Sequence, residues 1–303
     1  MTLWIPVTIA AAFFQNLRSA LQKHLTGVLS GQGAAYSRFL FALPWALLYL
    51  FFVVNITDSS LPTPNVRFIT FSICGAVSQI LATVFLLKAF SFRSFAVGTV
   101  ISKLEIVIVA LLGLWLLGDR LNVPAQIGIF LSTLGLFALS AGQNKLTPLA
   151  MLKGIREPAT AYGLLAALGL GGSVIFFRGA SLSLQFDQPF VAAAFTLAIA
   201  LTLQTVIMGV WLKLREPGQI TAVIRSWRWS VLVGIAGMLA SIGWFTAFTL
   251  QNASYVRALG QIELLFTFLV TTRVFRESVS RLEYAGCAMI VGGILVLLIG
   301  ARV

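Results

Sequence analysis

The chain predicts an all-α integral membrane protein with ten transmembrane helices in two inverted five-helix repeats. Three observations carry this expectation. Apolar residues make up 59% of the chain and charged residues only 10%, where a soluble domain carries about a quarter charged residues. Ten segments are long and apolar enough to cross a hydrocarbon core of about 30 Å, which takes roughly 20 helical residues. The third observation is a repeat. Glu105 is followed fourteen residues on by Asp119, then by Gly128 and Gly135, and Glu263 is followed at the same spacings by Glu277, Gly286 and Gly293. One offset of 158 residues relates all four pairs, and it also relates Ala89-Phe90 to Ala247-Phe248 and Lys103 to Gln261.

In chain order the segments run over about 3–24, 33–54, 66–91, 95–117, 122–141, 159–184, 188–212, 229–250, 254–275 and 279–300. The first lacks the basic start and cleavage site of a secretory signal, so it is expected to remain as a helix. Gly31 and Gly33 close the first gap, Pro62 and Pro64 the second, Pro148 and Pro158 the fifth, and Pro217 and Gly218 the seventh. The joins after the third and eighth segments are tight: Ser91-Phe92-Arg93-Ser94 and Gln251-Asn252-Ala253. No loop is long enough for a second soluble domain. Residues 1–148 are expected to form the first five-helix repeat and residues 149–303 the second. An odd number of crossings sets the second half upside down in the membrane, about an axis in the membrane plane.

The net charge of +12 does not point to nucleic acid, because the basic residues sit mainly in short loops, where they act as topology signals. Fifteen Lys and Arg residues fall on the face bearing the first, third, fifth, seventh and ninth joins, among them Lys88, Lys153, Arg215 and Arg228. Five fall on the other face: Arg67, Arg120, Arg178, Arg257 and Arg302. This bias places both termini outside the cytoplasm, in a plasma membrane or bacterial inner membrane. Cys74 and Cys287 lie inside helices without metal-ligand spacing and are expected to be small apolar packing groups. His24 stands near a helix end and reads as an interfacial polar residue. No metal or other cofactor is expected.

Glu105 and Glu263 fall about mid-membrane in the fourth and ninth segments. An ionisable group at that depth costs at least about 2.5–3.5 kcal/mol unless it faces water or a partner. A carboxylate there can trade a proton for a cationic group, which would make protons a coupling ion. The bland alternative is a carboxylate locked to a neighbouring Lys, Arg or helix end. Lys103 has no helix-end location, and it lies about 200° around the helix from Glu105, so it either reaches another helix or snorkels. With Gln261 as its neutral mate, the set would hold two acids and one base, suited to an amino-acid zwitterion. Arg18, Arg178 and Arg38 either anchor an anionic group or sit at the headgroups. Gln79 and Gln204 are mid-helix amides. Trp244 and Phe245 offer an aromatic wall. Gly169, Gly171 and Gly172 provide either bending points or close packing. Gly128 with Gly135, and Gly286 with Gly293, mark the fifth and tenth helices as close-packed scaffold.

Leu117-Gly118-Asp119-Arg120-Leu121 and Phe275-Arg276-Glu277, each followed by a glycine-bearing helix (Gly128, Gly286), resemble the EamA-type family of the drug/metabolite transporter superfamily. The resemblance spans the chain. It implies a ten-helix carrier, often an exporter of amino acids, other metabolites or toxic compounds, working by alternating access with helices one to four and six to nine around a central cavity. Many relatives carry an uncharged, proline-containing stretch where this chain has Ser102-Lys103-Leu104-Glu105 and Gly260-Gln261-Ile262-Glu263. The residues expected at a substrate or ion site are Lys103, Glu105, Gln261, Glu263, Gln79, Trp244, Arg18 and Arg178. A flippase for a lipid or lipid-linked sugar is the alternative on the same fold. An intramembrane enzyme would need a metal-ligand or Ser-His set that the chain lacks, and without a Walker motif direct use of ATP is unsupported. Expected partners are a small-molecule substrate and the lipid bilayer, with no nucleic acid, for a monomer or weak homodimer.

Overall fold

A computed structural model describes residues 2–25, 27–92, 95–146, 153–273 and 279–301. The described residues are helical, with no strand among them. In order the helices are α1 (Trp4–Leu25), α2 (Gly31–Ile56), α3 (Val66–Phe90), α4 (Phe95–Ser102), α5 (Glu105–Leu112), a π-helical turn (Gly113–Leu117), α6 (Val123–Gln143), α7 (Pro158–Ser183), α8 (Pro189–Arg215), α9 (Gln219–Arg225), α10 (Trp227–Leu250), α11 (Ala253–Gly260), α12 (Ile262–Arg273) and α13 (Arg281–Gly300). Among the described residues, eight stretches are helices long and apolar enough to span a membrane: α2, α3, residues 96–117, α6, α7, α8, α10 and α13. Of the expected ten, α1 is the less apolar, carrying Gln15, Asn16, Arg18 and His24 in its second half. The ninth segment is described only as far as residue 273 and is not among the eight. Large apolar side chains such as Phe51, Phe52, Phe130, Val206 and Val210 stand more than half exposed, a surface suited to lipid and costly in water.

The fourth and ninth segments, expected as continuous helices, are both interrupted, and by the same device. At Lys103 the backbone N–H bonds to the Val100 carbonyl three residues back, at 3.1 Å, and at Gln261 it bonds to Ala258, at 3.2 Å. The carbonyl four residues back, which a regular helix would use, accepts from a side chain instead. Ser102 Oγ donates to Thr99 O at 2.7 Å, and Gln261 Nε2 donates to Arg257 O at 3.1 Å. Such side-chain donors compete with the helical ladder. Thr99 and Arg257, like Lys103 and Gln261, are 158 residues apart.

The chain forms two compact units, one of residues 1–80 and 176–251, the other of residues 81–175 and 252–303. Each takes elements from both sides of residue 148, and the boundaries fall inside α3 and α7. In the first unit α1 packs on α10, and α2 packs on α8 and α10. Gly243 seats on Ala11, where an added Cβ would stand 2.6 Å from the Ala11 Cβ.

In the second unit α6 and α13 run antiparallel. Asn122 caps α6 by accepting from Ala125 N at 3.0 Å, and its amide donates to the Gly300 carbonyl at the end of α13 at 2.7 Å. A capping box, Ser280 with Glu283, opens α13. Between these ends the glycines cross-pair. A Cβ on Gly128 would lie 2.6 Å from the Gly293 carbonyl oxygen, and one on Gly135 would lie 2.7 Å from that of Gly286. Any side chain at these positions would force the two backbones apart. The crossing is the one a local twofold makes, since Gly128 corresponds to Gly286 and Gly135 to Gly293.

Candidate functional site: charges at two helix breaks

Each break ends with a carboxylate. Glu105 stands in the first turn of α5 and Glu263 in the first turn of α12, where free N–H groups and the helix dipole favour negative charge. Glu105 is buried, at 9% exposure. Its Oε1 is paired directly with Arg257 on α11 in a tight ion pair. The charge of Glu263 acts on both Lys103 and Arg257, and Arg257 also bears on Lys103. The second unit therefore gathers two acids and two bases around the breaks, where the sequence led to an expectation of two acids and one base. Gln261 is buried, and its amide is committed to the Arg257 carbonyl. Tyr255, six residues before Gln261, donates to Asn122 Oδ1 at 3.0 Å.

Arg257 is the residue that sequence reasoning missed. Its place near the start of the ninth segment suggested a headgroup location. The signal that would have found it is its spacing: four residues before Gln261 and six before Glu263, one helical turn from the break. Gly171, one of the possible bending points, is a packing contact. A Cβ there would lie 2.8 Å from Ile108 Cγ2 and 3.2 Å from the Glu105 carbonyl oxygen, which fixes α7 against the start of α5.

The other four expected residues lie in the first unit. Gln204, buried, donates to Gln79 Oε1 in a short amide pair. Trp244 Nε1 donates to Gln15 Oε1 at 2.9 Å, and its ring stacks on Phe248 at 5.8 Å. Phe245 packs on Phe177 at 5.1 Å. Arg178, 8% exposed, donates to the carbonyls of Phe248 and Gln251 and so satisfies acceptors that the end of α10 leaves open. Arg18 lays its stem on Gly237 and is an electrostatic neighbour of Arg38, whose guanidinium lies 4.5 Å over the Phe39 ring. Arg178, which is buried, and Arg257, which is paired with Glu105, are interior groups rather than loop charges, so both leave the topology count. The second repeat motif, Phe275-Arg276-Glu277, lies outside the described residues. In the first, Gly118 at φ 69° ends the π-helical turn in a conformation that favours glycine.

Irregular backbone inside a membrane helix is tolerated where it is buried in protein or lines a cavity, and both breaks here carry charged side chains, of which Glu105 is buried. The sequence model of the EamA-like transporter family, which belongs to the drug/metabolite transporter superfamily, matches residues 2–141, and over that segment the chain is EamA-like. No curated protein matches the sequence. Among solved structures, one crystal structure of a protein aligns over 100% of this chain and 99% of its own, with a TM-score of 0.68 at 17% identity. Likeness at that identity concerns the fold alone.

Proposed function

We propose that the protein is a secondary transporter that exports a small metabolite, an amino acid or a similar zwitterion, or a toxic compound, by alternating access. The observation that carries this reading is the four-charge set at the two helix breaks. Lys103, Glu105, Arg257 and Glu263 offer a carboxylate and an ammonium complementary positions without adding net charge to the site. The charge of Glu263 acts on Lys103, and these two are the pair assigned to substrate. Gln79, Trp244, Arg18 and Arg178 serve the first unit, where Arg178 is a clamp on the end of α10.

In this reading α1 and the α11–α12 pair complete ten spans, and the chain is two inverted repeats, residues 1–148 and 149–303. The shared break geometry, the crossed glycine pairs and a family match that ends where the fifth segment ends all support the duplication. Both termini lie outside the cytoplasm of a plasma or bacterial inner membrane, and a reporter fused after residue 303 reads out on the external side. A cytoplasmic reporter signal would refute the charge argument.

The functional test is a thermal-shift screen of purified protein against amino acids, sugars, nucleosides and lipophilic cations. Stabilisation by an amino acid, lost in Lys103→Gln and Glu263→Gln, is the expected result. Stabilisation by lipid-linked sugars alone would replace this reading with a flippase.

A further inference from the structure

Away from the charged breaks, the first unit holds a cavity of about 420 Å³, within the range of about 300–1,000 Å³ typical of ligand sites. Its walls are His24, Leu25 and Val28, from the end of α1 and the turn after it, and residues 225–229 at the α9–α10 corner. Among the described residues, no Asp or Glu lines it. Arg225 and Arg228 are exposed. The His24 ring lies 4.3 Å from that of Trp229, and the Arg228 guanidinium lies 5.8 Å from the Trp227 ring. The same walls are apolar at their rim: Val28 is 72% exposed and Trp227 54%.

This combination has a specific chemistry. Trp227 and Trp229 open a helix of membrane-spanning length, and tryptophan at such a position sits at the lipid headgroup level. Arginine presents a planar fork that matches phosphate oxygens. Arginines merely reaching for water would account for the charge, but not for an open cleft lined by two tryptophans with no acid among its described walls. We propose that the cavity binds the headgroup of an anionic phospholipid. Arg225 and Arg228 take the phosphate, and Trp227 and Trp229 lie against the glycerol and upper acyl chain. A choline headgroup would bring its cation towards two arginines and is disfavoured.

The test is native mass spectrometry of the purified full chain, titrated with phosphatidylglycerol or with phosphatidylcholine of the same acyl chains. Retention of phosphatidylglycerol roughly tenfold tighter is expected from two cationic contacts. The R225Q/R228Q double variant loses the preference, R225K/R228K retains part of it, and R215Q, which removes an exposed charge outside the cavity, keeps all of it. Equal retention of both lipids, or an equal loss in R215Q, overturns the proposal. Complete displacement of phosphatidylglycerol by inorganic phosphate also overturns it, because the site would then be one for a free anion.

Discussion

At Lys103 and at Gln261 the chain leaves a helix in the same way, with an N–H bonded three residues back and the next carbonyl taken by a side chain. The side chains differ. Ser102 supplies the hydroxyl in the first break, whereas Gln261 itself supplies the amide in the second. The charges differ in place as well. The first break carries its base at Lys103, while the second carries Gln261 there and its base at Arg257, one turn earlier, where the first has Thr99. Both carry their acid at the equivalent position, Glu105 or Glu263. The comparison shows that one form of helix break can carry differently placed charges.

The largest expected effect comes from removing one partner of the Glu105–Arg257 pair. Arg257→Leu strands a buried carboxylate and should cost about 3–5 kcal/mol in denaturant unfolding of the purified protein. The Glu105→Leu/Arg257→Leu double variant should recover most of that loss, and additive losses would mean that the pair is not coupled. Next, Gly135→Leu should destabilise the α6–α13 contact by about 1–3 kcal/mol or more, as should Gly286→Leu, its counterpart in the crossed pair. A neutral result at either position would break the symmetry claimed for that pair. Smaller still, Ser102→Ala and Gln261→Leu each free one carbonyl for the helical ladder. Each should shift stability by about 1 kcal/mol and slow amide exchange at position 103 or 261. An effect in one break only would show that the two are not one device.

Much of the fold was legible because membrane spans are written in composition and length, and the observed helix ends fall within a few residues of the expected segments. The repeated glycines pointed to the α6–α13 seam. The breaks were not legible. No Pro or Gly stands beside Lys103, Gly260 before Gln261 is a lone glycine in an apolar segment, and a side chain bonding back to a carbonyl leaves no periodic trace. Arg178 and Arg257 looked alike in sequence, as cations near helix ends. One satisfies carbonyls of α10 and the other a carboxylate of α5, and only tertiary packing separates these roles.

The central claim is that the carboxylates at the breaks serve transport rather than folding alone. It is tested most directly by uptake of a radiolabelled amino-acid mixture into proteoliposomes across mildly acidic to mildly alkaline pH, for the wild type, Glu105→Gln and Glu263→Gln. The amide keeps size and hydrogen bonding but cannot take up a proton. The account predicts folded Glu263→Gln protein with reduced transport and a flattened pH profile, and a loss in Glu105→Gln accompanied by lower stability. Full activity of Glu263→Gln with an unchanged pH profile would contradict it.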